Sequence, residues 1–381
     1  MKIHVTPKDF LSKFRLAASV ASNTDFTSTI HLVKITADRE TGSVLQATDG
    51  DVAIWLRTDC DIATSGEALL PSKRLAQILT MTTEEQLTIE RAEREVSISG
   101  EYENYSMSTP LPDEFPDIEE FEATAYHEIP ASILRETIRR TVFAVDAENL
   151  KYALGGVCFS MDGDAFSAVA TNGVRLAWQE GYGKCVNDHN ADAAIVSAKT
   201  LQVLDRFLGD NSIGDDDAVR MVLRVKTDDK NMTSGTVMFQ CKDITLVARL
   251  IHGRFPKWEK TIPATDGKTL ARIPSGELLR AALIAQAGTD DKEPGILCTF
   301  ADHKIALQGQ AMDKGTTTIK QSLIFCKEAR SVKLNAKYIV DVLRVLPAET
   351  ELTFYLPEDN DPVKIVAEKD GYVYVIMPMS K

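Results

Sequence analysis

Two acidic clusters invite the first chemical reading. "ATDGD" (47–51) and "GDDDA" (214–218) gather carboxylates within a few positions. Two-metal phosphoryl transfer needs such groups converging on one site at strand ends. Asp215, Asp216 and Asp217 instead run consecutively inside a Gly-containing turn, so their side chains diverge. The chain has no P-loop, no GxSxG elbow, no HExxH helix and no Ser/His/Asp arrangement, and its six histidines are isolated. Its six cysteines (Cys60, Cys158, Cys185, Cys241, Cys298 and Cys326) are scattered without a CxxC pair. They read as buried, reduced thiols of a cytoplasmic protein rather than zinc ligands. No residue is assigned to catalysis, to a metal or to a cofactor.

The cations tell a different story. The net charge is −13, which argues against a generic nucleic-acid binder. Yet the basic residues are segregated. Six stretches with helical periodicity carry thirteen of them: Lys8, Lys13, Arg15, Lys73, Arg74, Arg135, Arg139, Arg140, Lys199, Arg206, Arg280, Lys337 and Arg344. Against these stand five acids, Asp9, Glu136, Asp205, Glu277 and Asp341, so the six stretches carry +8 and the remainder −21. Lysine and arginine are good helix formers on solvated faces, which accounts for any one of them. Six stretches leaning the same way in an acidic chain point to a surface that holds a polyanion through its phosphates without reading bases.

The elements that must position these cations repeat. "PSKRLAQILTMT" (71–82), "SAKTLQVLDRFL" (197–208) and "NAKYIVDVLRVL" (335–346) all place Lys third and apolar residues fifth and eighth. A second helical stretch opens at or just after proline, at 7–22, 130–145 and 274–287. One-sided apolar stripes run along them: Phe10, Phe14, Ala17 and Ala21, then Leu134, Ile138 and Val142, then Leu278, Leu279, Ala282 and Leu283. Arg135 and Arg139 lie one turn apart beside the second stripe. Between helices the pattern alternates with period two, as in "VRMVLRVKT" and "TVMFQCKDITLVARL". The phrase "ATDGDVAIW" (47–55) returns as "ATNGVRLAW" (170–178), and "EFPDI" is echoed by "RFPKW". The reading is α+β: three repeated units at 1–122, 129–259 and 260–381, each two helices packed on one face of sheet, joined first by a linker at 119–128. The Asx-Gly pair of the doubled phrase supplies a tight turn between two strands. The N-terminus lacks a signal-peptide h-region and no apolar run reaches spanning length, so neither a leader nor a membrane span is expected.

With three repeats, paired helices per unit and the phrases "ATNGVRLA", "HGRFPKW" and "YVIMPM" in order, the chain resembles the bacterial DNA polymerase III beta subunit family, the sliding clamps, over essentially its whole length. The resemblance implies a non-catalytic processivity factor, a ring of two chains head to tail, with twelve helices around duplex DNA and continuous sheet outside. Twelve helices ~10 Å apart trace a circle of ~19 Å radius, leaving a hole of ~28 Å, wide enough for a duplex. It adds Lys151 and Tyr152 to the DNA-facing set and places Gly288 and Thr289 at the dimer interface. It further implies an apolar pocket between the second and third units, where polymerase, clamp loader and repair proteins dock short peptides. Carried over, its lining is Leu154, Thr171, Gly173, Val174, Arg175, Leu176, Pro256, Lys260, Thr261, Pro362, Val375, Met377, Pro378 and Met379. Leu, Val, Pro and Met suit hydrophobic peptide anchors, and methionine adapts to several partners. In the last strand, 375, 377 and 379 face this groove while Tyr372, Tyr374 and Ile376 belong to the core. An intrinsic enzyme and a scaffold binding only proteins are the competing readings; the second leaves the charge segregation unexplained.

Overall fold

A computed structural model describes residues 1–21, 29–118, 123–146, 148, 153–230, 232–265, 269–290, 292–311, 315–357 and 361–380. The periodic stretches form α1 (Pro7–Ala18), α2 (Ser72–Met81), α3 (Ala131–Val142), α4 (Ala198–Leu208), α5 (Ser275–Gln286) and α6 (Ala336–Arg344). They pack in pairs, α1 with α2, α3 with α4 and α5 with α6. Proline sets their starts: Pro7 is the first residue of α1, and Pro71, Pro130 and Pro274 are the caps of α2, α3 and α5. Ser197 and Asn335 cap α4 and α6 by accepting from the Thr200 and Lys337 N–H groups at 3.1 and 3.0 Å.

The helix stripes are buried much as their spacing requires. Phe10 and Phe14 stack at 5.9 Å in the first core, and Leu134 and Ile138 are fully covered in the second. In α5 the buried set is Leu278, Ala281, Ala282 and Ala285, whereas Leu283 and Ile284 face outward. The expectation that Leu283 belongs to the stripe is therefore corrected: Leu278 at i and small alanines at i+3, i+4 and i+7 carry the packing there.

The strands form four antiparallel sheets. The first, of five strands, is ordered Asp61–Thr64, Lys2–Val5, Leu87–Ala92, Glu95–Ser99, Asn104–Ser108. The last, of four, is ordered Gly315–Ser322, Lys304–Ala311, Gly295–Ala301, Arg330–Asn335. Two nine-stranded sheets each bridge neighbouring units. One seam pairs Val52–Thr58 with Ile244–Arg249, bringing Ile54 opposite Leu246; the other pairs Arg175–Tyr182 with Tyr372–Ile376, bringing Ala177 opposite Tyr374. Residues 119–128 are not all linker, because Tyr126–Pro130 is a strand of the sheet that carries the first seam and pairs with Ala218–Thr227. The first strand of the second unit thus begins at Tyr126.

The doubled phrase has the same local structure in both copies. Thr48 and Thr171 donate their hydroxyls to the carbonyls of Val52 and Arg175 at 2.8 and 2.6 Å. Asp49 and Asn172 accept from the amides that follow at 2.8–3.2 Å. Only the glycines take positive φ, +94° at Gly50 and +88° at Gly173. The turn is therefore an Asx-braced loop with one left-handed residue, and the strand it launches is the seam strand in both cases.

Three of the six cysteines (Cys158, Cys241, Cys298) are buried and three are half-buried, correcting the expectation that all lie in the core. Burial pushes the Cys298 thiol up to about 12. Among the described residues no cluster of His, Cys, Asp or Glu is placed to hold a metal ion, and no helix is long and apolar enough to cross a membrane. The run Asp215–Asp217 is used locally: backbone carbonyls of Asp215 and Asp217 take the first amides of α3, and Asp217 pairs with Lys242 at 2.5 Å.

Candidate functional site

A cavity of about 190 Å³ opens where the second and third units meet. Leu154, Thr171, Gly173, Val174, Arg175 and Leu176 supply one wall from the second repeated turn and its flanks. Pro256 and Thr261 close one side, and Pro362, Val375 and Met377 the other. Its floor rests on a separate apolar cluster, in which Leu176, Phe255, Val373 and Val375 are buried and Trp258 packs on Trp178 at 5.9 Å. Val174 and Met377 stand at the rim, 44% and 43% exposed, joined by a 2.9 Å bond from the Met377 N–H to the Val174 carbonyl. The arrangement offers apolar sockets with exposed, movable edges, which suits a short segment with hydrophobic anchors.

The lining differs from the expected set in four places. Trp258 lines the cavity and was missed. Its signal was available in "RFPKW", where an apolar residue follows Phe-Pro as Ile118 follows Phe115-Pro116. Lys260 does not line it; on the short 3-10 turn Trp258–Thr261 both Lys260 and Thr261 are exposed, and only Thr261 borders the cavity. Pro378 and Met379 also fall outside. The strand ends at Ile376, and the tail crosses to the last sheet, where the Met379 N–H donates to the Lys333 carbonyl at 2.8 Å. Tyr372, Tyr374 and Ile376 are buried, with burial pushing the Tyr374 hydroxyl well above its usual range.

Arg175 has two faces. Its stem lines the cavity, but its head turns away and is 8% exposed. There it meets Asp341 of α6 at 2.8 Å and the Phe143 carbonyl, and lies over the Tyr338 ring at 4.4 Å. One buried side chain therefore ties the cavity wall to the helix pair of the next unit.

The basic helix residues mostly remain on the surface. Lys8, Arg15, Lys73, Arg74, Arg139, Lys199, Arg206, Arg280, Lys337 and Arg344 are exposed, and Lys13 and Arg135 are half-buried. Arg15 donates to Thr80 of α2 at 2.9 Å, and Lys199 pairs with Asp49 across the first seam. Burial would raise the Asp210 carboxyl, but hydrogen bonds from Ser212 and the charge of Lys13 hold it below its ordinary value. Arg140 corrects the expected set. It is 2% exposed, donates to Gln179 at 3.1 Å and Asp370 at 3.3 Å, and pairs with Glu136. It is an interior brace between units rather than a surface cation. Gly288 and Thr289 are likewise interior: a Cβ at 288 would meet the Thr317 hydroxyl at 2.7 Å, and Thr289 is 6% exposed. Lys151 and Tyr152 lie outside the described residues.

Comparison with known proteins agrees with this geometry. Residues 128–257 match the family model described as DNA polymerase III beta subunit, central domain. The chain is similar to the beta sliding clamp of Buchnera aphidicola, 24% identical over 84% of this chain and 83% of the relative. It is 24% identical to that of Synechocystis, over 100% and 99% of the two chains. Among solved structures it resembles the Bacillus subtilis DNA polymerase sliding clamp, with a TM-score of 0.89 at 20% identity over 100% of this chain and 99% of that one. The Pseudomonas aeruginosa sliding clamp superposes with a TM-score of 0.88 at 23% identity over 100% of both chains.

Proposed function

We propose that the chain is a member of the DNA polymerase III beta subunit family, the beta sliding clamps, and that two copies close head to tail into a ring that encircles duplex DNA. The ring slides without reading sequence and serves as the non-catalytic processivity factor of the replicative polymerase. Units at 1–122, 126–259 and 260–381 give six per ring.

One observation carries this reading. The same seam is used twice inside the chain, and one half of it is left over at each end. The inner half is the strand that packs under the first helix of its unit: Val52–Thr58 beneath α1, Arg175–Tyr182 beneath α3, and Gly315–Ser322 beneath α5. The outer half is a unit's last strand: Asn104–Ser108, Ile244–Arg249 and Tyr372–Ile376. Gly315–Ser322 and Asn104–Ser108 remain as sheet edges. An unpaired edge is a template for another chain, and a head-to-tail interface that repeats a fixed rotation closes a ring. Exposed apolar residues flank both edges: Leu283 and Ile284 on α5, Tyr102 and Tyr105 beside the other.

The exposed helix cations supply a basic lining whose phosphate contacts are weak, sequence-independent and screened by salt. The apolar cavity at the second seam is the docking site for short peptide segments of the polymerase, the clamp loader and other clamp-binding proteins. The test is retention on nicked circular duplex at a salt concentration that screens phosphate contacts, followed by linearisation. Release on linearisation is expected. Equal retention on both forms, or on neither, refutes topological binding.

A further inference from the structure

Asp205 sits in the last turn of α4, where the carbonyl end of the helix disfavours a carboxylate. Its Oδ1 accepts from Arg135 Nε at 3.1 Å and from Arg139 Nε at 2.8 Å, both reaching across from α3. Three other helix acids are occupied elsewhere: Glu136 meets buried Arg140, Asp341 meets buried Arg175, and Glu277 accepts from Gln321. A second feature seats Arg135. The cap residue of α4 is Gly209, and a Cβ there would collide with the Arg135 guanidinium. Arg135 thus lies over the carbonyl end of α4, held by the helix end and by Asp205 together. Arg139 is 50% exposed and Arg135 32%, so both remain within reach of a polyanion.

We propose that Asp205 is a positioning residue for the grip on duplex: it holds Arg135 and Arg139 side by side in the lining and offsets one of their two charges, tempering the hold so that the ring slides. This rests on reading the helix surface as the duplex lining. A phosphate approaching the pair competes with an anion already in place, so the interaction forms and breaks without either guanidinium being left unpaired. Neutralising the carboxylate adds one net cation per chain, or two per ring. Each further phosphate neutralised steepens the dependence of log affinity on log salt by ~0.9, so the slope grows by ~1.8 and the fall in affinity between 50 and 200 mM salt by about tenfold.

The experiment measures duplex affinity against salt, and diffusion along stretched duplex, for the full-length protein and Asp205→Asn. Asp205→Ser serves as a second neutral variant should the first misfold. The expected result is a slope steeper by ~1.8 and slower diffusion, with both effects abolished in an Arg135→Gln/Arg139→Gln background. An unchanged slope and diffusion in a folded neutral variant overturns the proposal, as does an effect that persists without the two arginines. Failure of the unaltered protein to be retained on circular duplex overturns the ring reading instead, so the two failures are distinguishable.

Discussion

Replacing Asp341 by alanine tests how the second seam is held. Arg175 has 7% of its side chain exposed and Asp341 20%, so their 2.8 Å pair lies largely out of solvent. Removing the carboxylate leaves a buried guanidinium without its counter-ion, a change that costs about 3–5 kcal/mol in comparable sites. Arg175 keeps its bond to the Phe143 carbonyl and its place over the Tyr338 and Phe143 rings at 4.4 and 5.4 Å. Those neighbours stabilise the bare cation and set the expected destabilisation near the lower end, ~3 kcal/mol. The pair Lys199–Asp49 at the first seam is the internal control. Lys199 is 59% exposed, and Asp49, though only 6% exposed, keeps the Asp51 and Val52 amides at 3.0 and 2.8 Å, so Lys199→Ala is expected to cost only ~1 kcal/mol. Equilibrium denaturation in urea reads both, and binding of a fluorescent clamp-motif peptide reads the cavity wall that the Arg175 stem forms. The double variant Arg175→Met/Asp341→Leu removes both charges and is expected to recover most of the stability that Asp341→Ala alone takes away. A destabilisation below ~1 kcal/mol for Asp341→Ala, or a double variant no better than the single, refutes the burial of this pair as the source of its strength.

Deleting residues 377–381 removes the Met377 rim and is expected to weaken clamp-motif peptide binding by about tenfold or more, read by fluorescence anisotropy, with the melting profile retained. Undiminished affinity contradicts the docking assignment. Arg206→Gln should flatten the salt dependence of duplex binding by ~0.9 for each phosphate that the arginine neutralises, whereas Arg140→Met should leave that slope unchanged and lower stability instead. His189 gives the chain a pH dependence. Burial, and then the nearby His127, depress its pKa, and its Nε2 accepts the Leu223 amide at 2.9 Å. The unfolded chain therefore binds the proton first. Stability is full above the unfolded value of ~6.5 and falls by at most ~1.4 kcal/mol per pH unit as pH drops below it, through the lowered folded value. Urea titrations between pH 7 and 5 check this; a flat profile that His189→Gln leaves unaltered contradicts it.

Much of this architecture was legible in the sequence because it is repeated. The doubled nine-residue phrase marked two equivalent turns, and those turns launch the two seam strands. Helix positions followed from spacing and from proline. What failed were extrapolations of local pattern past a boundary. Period-two alternation placed Met379 with Val375 and Met377, but it holds only while the strand does, and the strand stops at Ile376. Arg140 follows Arg139 by one residue, and that single step of about 100° carries it from the surface to the inner face with Thr137 and Thr141. Its partners Gln179 and Asp370 come from a distant strand and a distant turn, so no local signal distinguished it. Trp258 depended on a loop whose inward residue was marked only by the weaker Phe-Pro echo.

The central claim is that the two leftover edges form the same seam between chains as within them. On the helix-facing side Thr317 pairs with Gly309 as Ile54 and Ala177 pair with Ala47 and Ala170, and Tyr105 stands four residues before Thr109 as Leu246 stands before Leu250, so residues 316 and 106, one step along the antiparallel strands, should face each other in different copies. Facing residues on antiparallel strands lie ~4.5–5.5 Å apart at Cα, within disulfide range. The measurement is oxidation of Ser106→Cys/Thr316→Cys protein assembled on nicked circular duplex, followed by denaturing detergent. The account predicts a covalently closed dimer that stays linked to the circle in detergent and is freed when the circle is cut. A dimer that detergent strips from the intact circle, or protein that slides on DNA yet never cross-links between these positions, contradicts it.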